Sequence, residues 1–179
     1  MKHYLLHAAI GSSILCAACG SEQKSGDETV TQTTLEFKDY GADPIVLDIE
    51  AYTLGNDNFR TALWTGDNLQ LTLMSIPVGG EVGLECHHDI DQFLRIESGR
   101  ALVEMGDSRD RLDFSQEAGD DFVILVPAGK WHNIVNKGEE PLKLYSIYAP
   151  AEHDHGTVHR TYEEAMAAEA EHHRHEQQD

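Results

Sequence analysis

Apolar and polar positions alternate along short stretches of this chain, and turn residues separate the stretches. Leu69-Gln70-Leu71-Thr72-Leu73 alternates strictly, as a half-buried strand does. Pro77-Val78-Gly79-Gly80 ends it. Residues 93–96 and 101–105 flank Ser98-Gly99 and predict a hairpin. Residues 122–126 form an apolar run stopped by Pro127-Ala128-Gly129. Ile134-Val135 leads into the turn Asn136-Lys137-Gly138, and residues 142–148 form the last clear strand before Pro150. Many short strands between turns predict an all-β sandwich or barrel over residues 45–149.

Both ends of the chain read differently. Residues 162–170 are rich in Ala, Glu and Met and predict a short C-terminal helix, with Thr161 and Glu164 as a capping box. The tail beyond carries His172, His173 and His175. The pattern divides the chain into a β domain over 35–158 and a helix with a His-rich tail over 159–179. At the other end, Lys2 precedes an apolar stretch over residues 4–18 that finishes in small residues, the pattern of a secretory signal. Ala17-Ala18-Cys19-Gly20 resembles a bacterial lipobox. That resemblance implies cleavage before Cys19, a lipidated Cys19 thiol and a lipid-anchored place at the bacterial cell envelope, with secretion as the alternative. Residues 1–19 are then signal peptide and lipobox, and the polar residues 20–34 a flexible tether.

Charge narrows the partners. The chain of 179 residues holds 32 acidic and 13 basic residues, a net charge of −19. Such a surface repels phosphate backbones and excludes nucleic acid as a partner. A small anionic substrate would need a local basic pocket. No apolar run of about 20 residues follows the first 20 positions, so the expected contact with a membrane is through the lipid anchor alone. With Cys16 discarded and Cys19 capped, Cys86 is left alone, so the core has to hold the fold without an internal disulfide.

Two segments carry chemistry. Glu85 and His87 are two apart on an expected strand, so their side chains leave the same face. A turn over residues 88–91 returns the chain, and Gln92 begins what is expected to be the neighbouring strand. His132 follows a Pro-x-Gly turn at the mouth of another strand. Glu85, His87, Gln92 and His132 would form a mixed oxygen and nitrogen shell that suits a divalent ion such as Zn, Fe, Mn or Ni. Its affinity would fall as the pH drops toward the imidazole pKa of about 6.5.

These segments resemble the cupin superfamily. Its first motif, His-x-His with a later Glu and Gly, maps onto Glu85, His87, Gln92 and Gly99, with Glu85 in place of a His and Gln92 in place of the Glu. Its second motif, Pro-x-Gly-x-x-His-x-x-x-Asn, is matched at Pro127, Gly129, His132 and Asn136. The resemblance implies a single-domain jelly-roll barrel with the metal inside. The chain looks similar to small cupins of the phosphomannose-isomerase-like group. Zinc isomerases of that name use the same residue types, Gln, His, Glu and His. Their substrate is a cytosolic sugar phosphate, which an exported acidic chain meets rarely, so the activity is not carried over.

Other residues keep plainer readings. His88 faces away from His87 or lies in the turn, Cys86 is a packed thiol, and Arg60 and Trp64 pack against the barrel or line its mouth. His153, His155 and His159 are solvated imidazoles in a turn, or acid-base groups folded over the barrel mouth. Three functions stay open: a metal-dependent enzyme on a small molecule, isomerase-like or dioxygenase-like; a non-catalytic barrel binding a small ligand; and a metal-handling protein fed by the His-rich tail. A homodimer is left open as well. No Gly-x-Ser-x-Gly or Cys/His signature points to a nucleophilic hydrolase.

Overall fold

The computed structural model describes residues 34–176. Cys19, the lipobox and the tether up to residue 33 lie outside the described residues, as do the side chains of His172, His173 and His175. In chain order the elements are α1 (Ile49–Gly55), β1 (Arg60–Thr65), β2 (Gln70–Ile76), β3 (Glu85–Cys86), β4 (Asp91–Ser98), β5 (Arg100–Gly106), β6 (Phe114–Gly119), β7 (Val123–Val126), β8 (Trp131–Asn136), β9 (Leu142–Ala149), β10 (Val158–His159) and α2 (Tyr162–Glu176). The strands form a six-stranded sheet, β10-β1-β2-β9-β4-β7, and a four-stranded sheet, β3-β8-β5-β6. Among the described residues all pairings are antiparallel, and no ladder joins one sheet to the other. This is the all-β architecture expected from the strand pattern and the jelly roll that the resemblance implied, with the C-terminal helix in place.

The expected hairpin over residues 93–105 does not form. β4 pairs with β7 and β9, whereas β5 pairs with β6 and β8. The single residue between them, Gly99, carries the chain from one sheet to the other at φ +102°. A Cβ there would lie 3.1 Å from the Leu142 Cα, so both the conformation and the space favour glycine. Gln92 likewise begins a strand in the sheet opposite β3, and does not neighbour Glu85.

Alternation along each strand sets what the interior contains. On β2 the inward positions are Gln70, Thr72, Met74 and Ile76, and on β9 they are Leu142, Leu144, Ser146 and Tyr148. Register pairs Gln70 with Tyr148 and Tyr148 with Gln92, and pairs Met74 with Leu144 and Leu144 with Ile96. One end of the interior is therefore polar and the other apolar. The apolar end packs Met74, Ile76, Ile96, Leu142, Leu144 and Ile134, each fully buried. Each such side chain contributes about 1.5–3 kcal/mol by leaving water. A second cluster lies on the outer face of the larger sheet, where Tyr52 of α1 packs with Leu63 and Leu73.

α2 belongs to the main core and is not an appendage. Ala165 is fully buried there, and Tyr162 meets Phe59 edge-on with ring centroids 5.6 Å apart. Thr161 caps the helix by accepting from the Glu164 amide at 3.3 Å. Glu164 accepts in turn from the Arg160 amide at 2.6 Å, one residue upstream of the expected capping box. The opposite seam, between edge strands β6 and β7, has no helix over it among the described residues and exposes Phe114, Phe122, Val123 and Leu125.

Candidate metal centre

Backbone contacts lace the two motif segments together. β3 pairs with β8 so that Glu85 sits opposite His132, which puts their side chains side by side on one face. His132 is aimed by the turn before it. Lys130 N–H donates to the Pro127 carbonyl at 3.2 Å, with Gly129 at φ +79° as the left-handed residue this turn needs. The same turn is tied to the first segment twice. Gly129 N–H donates to the His87 carbonyl at 2.7 Å, and Ala128 N–H to Asp91 Oδ1 at 2.9 Å.

Two imidazoles and one carboxylate converge. His87 Nε2 lies 3.3 Å and His132 Nε2 3.2 Å from the same oxygen, Glu85 Oε1. His132 Nδ1 donates to the Lys130 carbonyl at 3.0 Å. A carbonyl only accepts, so in the neutral ring the Nε2 lone pair faces the carboxylate. Two acceptors at that distance call for a proton or a cation between them. His87 Nδ1 lies 3.3 Å from Glu152 Oε1, a carboxylate from the loop after β9. Each imidazole is thus held from behind, as metal-bound histidines are.

The charges are strongly coupled. Burial pushes the Glu85 carboxyl up, but hydrogen bonds and charge from His132 and His87 outweigh it and hold the carboxyl far below its usual range. Burial lowers the His87 imidazole, but Glu152 and Glu85 overcome this and raise it to about 10. Without a cation, a proton on His87 does the neutralising.

The donor set fits a divalent ion. The three ligand atoms lie within 4.8 Å of one another. Donors sharing one ion at about 2.1 Å sit roughly 3.0–3.5 Å apart, and both Glu85 to imidazole distances fall in that range. Gln92 stands on β4, across the interior, beside Tyr148, whose ring lies 5.7 Å from that of His87. Its Nε2 donates to Ser146 Oγ at 3.0 Å. Its Oε1 is buried and has no partner. A buried amide oxygen left bare is costly, and either a hydrogen-bond donor or a cation would satisfy it.

The remaining candidates separate cleanly. His88 is exposed, and Cys86 is a half-buried free thiol that burial pushes up. Trp64 packs outside, donating from Nε1 to the Asp43 carbonyl at 2.8 Å. His155 is exposed, with Nε2 3.6 Å from Asp39 Oδ1. Asn136 is structural: Nδ2 donates to the Ile76, Pro77 and Glu140 carbonyls, which ties two turns together. In a second carboxylate cluster, Glu97 with Asp120 and Asp121, two of the three carboxylates, Glu97 and Asp121, already pair with Arg95.

Three residues were undervalued by the sequence reading. Arg60 is fully buried in the interior and does not pack on the outside. His153 is folded over the mouth, its ring 5.1 Å from that of Tyr148. Gln70 fixes it there, donating to the His153 carbonyl at 2.8 Å and accepting from its N–H at 2.9 Å. Burial, then the Arg60 charge, lowers this imidazole to about 2, so it is neutral. Glu152 carried no signal in the sequence beyond standing next to His153.

Comparison with known proteins agrees with this geometry. Residues 72–148 match the model of the Cupin domain. The chain is 56% identical to YrkC of Bacillus subtilis (strain 168) over 135 residues, which are 75% of this chain and 73% of that protein. It is 59% identical to BH2720 from Bacillus halodurans, whose crystal structure it matches with a TM-score of 0.72, covering 73% of this chain and 98% of that one. A jelly roll, both motif segments facing one interior, and relatives this similar across most of their length together place the chain in the cupin superfamily.

Proposed function

We propose that this cupin is a divalent-metal enzyme that moves protons on a small oxygen-rich molecule such as a sugar, in the manner of an isomerase. Glu85, His87 and His132 would hold the ion, with Gln92 Oε1 as a weaker fourth donor. The observation that carries this reading is the convergence of two imidazole nitrogens on one Glu85 oxygen, at 3.2 and 3.3 Å. The ion supplies Lewis-acid polarisation of a carbonyl or hydroxyl oxygen when bound.

The chain's own groups supply the rest. Tyr148 Oη is buried without a partner, and burial above all keeps it protonated. It can donate a hydrogen bond or a proton to a ligand oxygen. The neutral His153 ring has one nitrogen free to accept a hydrogen bond, and its Nε2 is buried and unpartnered. Tyr148 and His153 therefore offer a ligand one hydrogen-bond donor and one acceptor side by side. Glu152 fixes His87 from behind. The envelope location through Cys19 belongs to the same reading and rests on the lipobox alone.

The test is solvent exchange. Untagged residues 21–179 are loaded with zinc, manganese, iron or nickel and incubated with aldoses, ketoses and hydroxy acids in D2O. Metal-dependent deuterium incorporation next to a carbonyl, seen by NMR, is the expected result. Ligand binding without exchange under any metal would replace the enzyme by a non-catalytic binding barrel.

A further inference from the structure

Arg60 is a charged side chain with no exposure at all, inside an acidic protein. It opens β1 and faces inward, in register with Met74. Its Nη1 donates to Glu169 Oε1 of α2 at 2.9 Å. Its Nε and Nη2 are buried and have no partner. Those two N–H groups point in parallel from one edge of the guanidinium, the edge that grips a carboxylate through two hydrogen bonds. Leaving both bare in a dry interior is costly.

The surroundings point the same way. Tyr148 Oη, His153 Nε2 and His159 Nδ1 are also buried and unpartnered. Arg60 is near enough to act through its charge on Tyr148, Glu85, His153 and His159. Ring contacts run from His153 to Tyr148 at 5.1 Å and from Tyr148 to His87 at 5.7 Å, which joins this cluster to the metal centre. A cavity of about 160 Å³, lined by Glu152, Asp154 and Glu169 with His153 and His159, adjoins this cluster through the two histidines and through Glu169, the partner of Arg60.

We propose that the interior binds a small carboxylate-bearing molecule, with the Nε and Nη2 edge of Arg60 gripping its two carboxylate oxygens. Tyr148 Oη and the His153 ring then meet its neighbouring oxygen groups. Glu85, Glu152 and Glu169 nearby limit the ligand to a single negative charge, and so select a carboxylate over a phosphate dianion. The proposal narrows the substrate class of the site described above. It rests on that reading only for the end of the ligand that faces Glu85, His87 and His132.

Binding of pyruvate and glycolate, with acetamide and inorganic phosphate as controls, tests it. Metal-free and zinc-loaded protein are both titrated, and the Arg60 Nε–H resonance is followed by NMR. Pyruvate and glycolate should bind and move that resonance, while acetamide and phosphate should bind far more weakly. Arg60→Lys keeps the charge but loses the two-pronged edge, and should weaken pyruvate about tenfold or more. Glu169→Gln removes a competing carboxylate and should tighten pyruvate, which keeps the test alive if Arg60→Lys does not fold. An Arg60 resonance indifferent to pyruvate, equal affinity in Arg60→Lys, or phosphate binding more tightly than carboxylate would each overturn the proposal. Pyruvate binding without zinc uptake would remove the metal reading and leave this one standing, and zinc uptake without pyruvate binding would do the reverse.

Discussion

The two ends of the jelly-roll interior are built on the same strands and do opposite things. On β2, β9 and β8 the inward positions run from Gln70 to Ile76, from Tyr148 to Leu142 and from His132 to Ile134. The apolar end is filled by Met74, Ile76, Ile96, Leu142 and Leu144, all fully buried and carrying no side-chain nitrogen or oxygen. Gln92, Tyr148 and His153 at the polar end, and Arg60, whose backbone stands in the Met74 row, each keep a buried nitrogen or oxygen that has no partner. Proteins seldom leave such groups bare. Packing on β2, β4, β8 and β9 at the apolar end offsets that cost. The apolar end is where stability should concentrate, and the polar end where metal and ligand affinity should.

The largest expected effect falls at the apolar end. Leu144→Ala leaves a cavity in a fully buried layer and should lower stability by about 2–5 kcal/mol. Metal bound per folded chain should not change. Chemical denaturation with elemental analysis of the folded fraction checks both, and a variant that keeps its stability but loses metal would break the division between the ends.

Behind the polar end, Glu152→Gln removes the carboxylate that holds His87 Nδ1 at 3.3 Å. Metal affinity should fall about 10–100-fold, with unfolding in denaturant little changed. Unaltered affinity, measured by competition with a chelator, would mean that His87 is not oriented from behind.

Proton linkage sharpens the comparison further. In the metal-free protein His87 is raised to about 10, above an unfolded value of about 6.5. Its contribution to stability is full below about pH 6.5 and is lost as the pH rises through about 10. Glu85 is lowered, so its contribution is present above its ordinary carboxylate pKa and is lost as the pH falls below it. A cation must displace the His87 proton. Affinity should therefore already decline as the pH drops below about 10, where the sequence alone set that decline near 6.5. At about pH 8 binding should release roughly one proton per ion. Calorimetry in buffers of different ionisation enthalpy measures that number, and zero would contradict the His87 assignment.

The smallest effect belongs outside the interior. His88→Ala, at an exposed position next to His87, should shift stability by less than about 0.5 kcal/mol and leave metal affinity alone. A marked loss of metal in that variant would bring His88 into the site.

How much of this was legible in the sequence follows the same division. Alternation at 69–73 and at 142–148 located β2 and β9, because an inward side chain every second residue leaves a period that needs no partner to be seen. The Pro127, Gly129 and His132 spacing located the second half of the centre, since that turn is a local device. Pairing was not local, and there the reading went astray. Gly99 looked like a hairpin tip, and only the approach of Leu142, 43 positions later in the chain, shows why it is a crossing between sheets. Gln92 was expected beside Glu85 and lies across from it. Arg60 was expected against the barrel or at its mouth because nothing local marks it for full burial, and its partner Glu169 is 109 residues away.

The central claim is that two imidazoles and Glu85 hold a cation at the polar end, and the metal content of His132→Ala tests it most directly. Untagged residues 21–179, wild type and His132→Ala, are reconstituted with zinc and with manganese, dialysed, and measured by elemental analysis beside a fold check. The account predicts close to one ion per chain in the wild type and little in the variant, both folded. Full occupancy in His132→Ala, or an empty wild type after reconstitution, would contradict it.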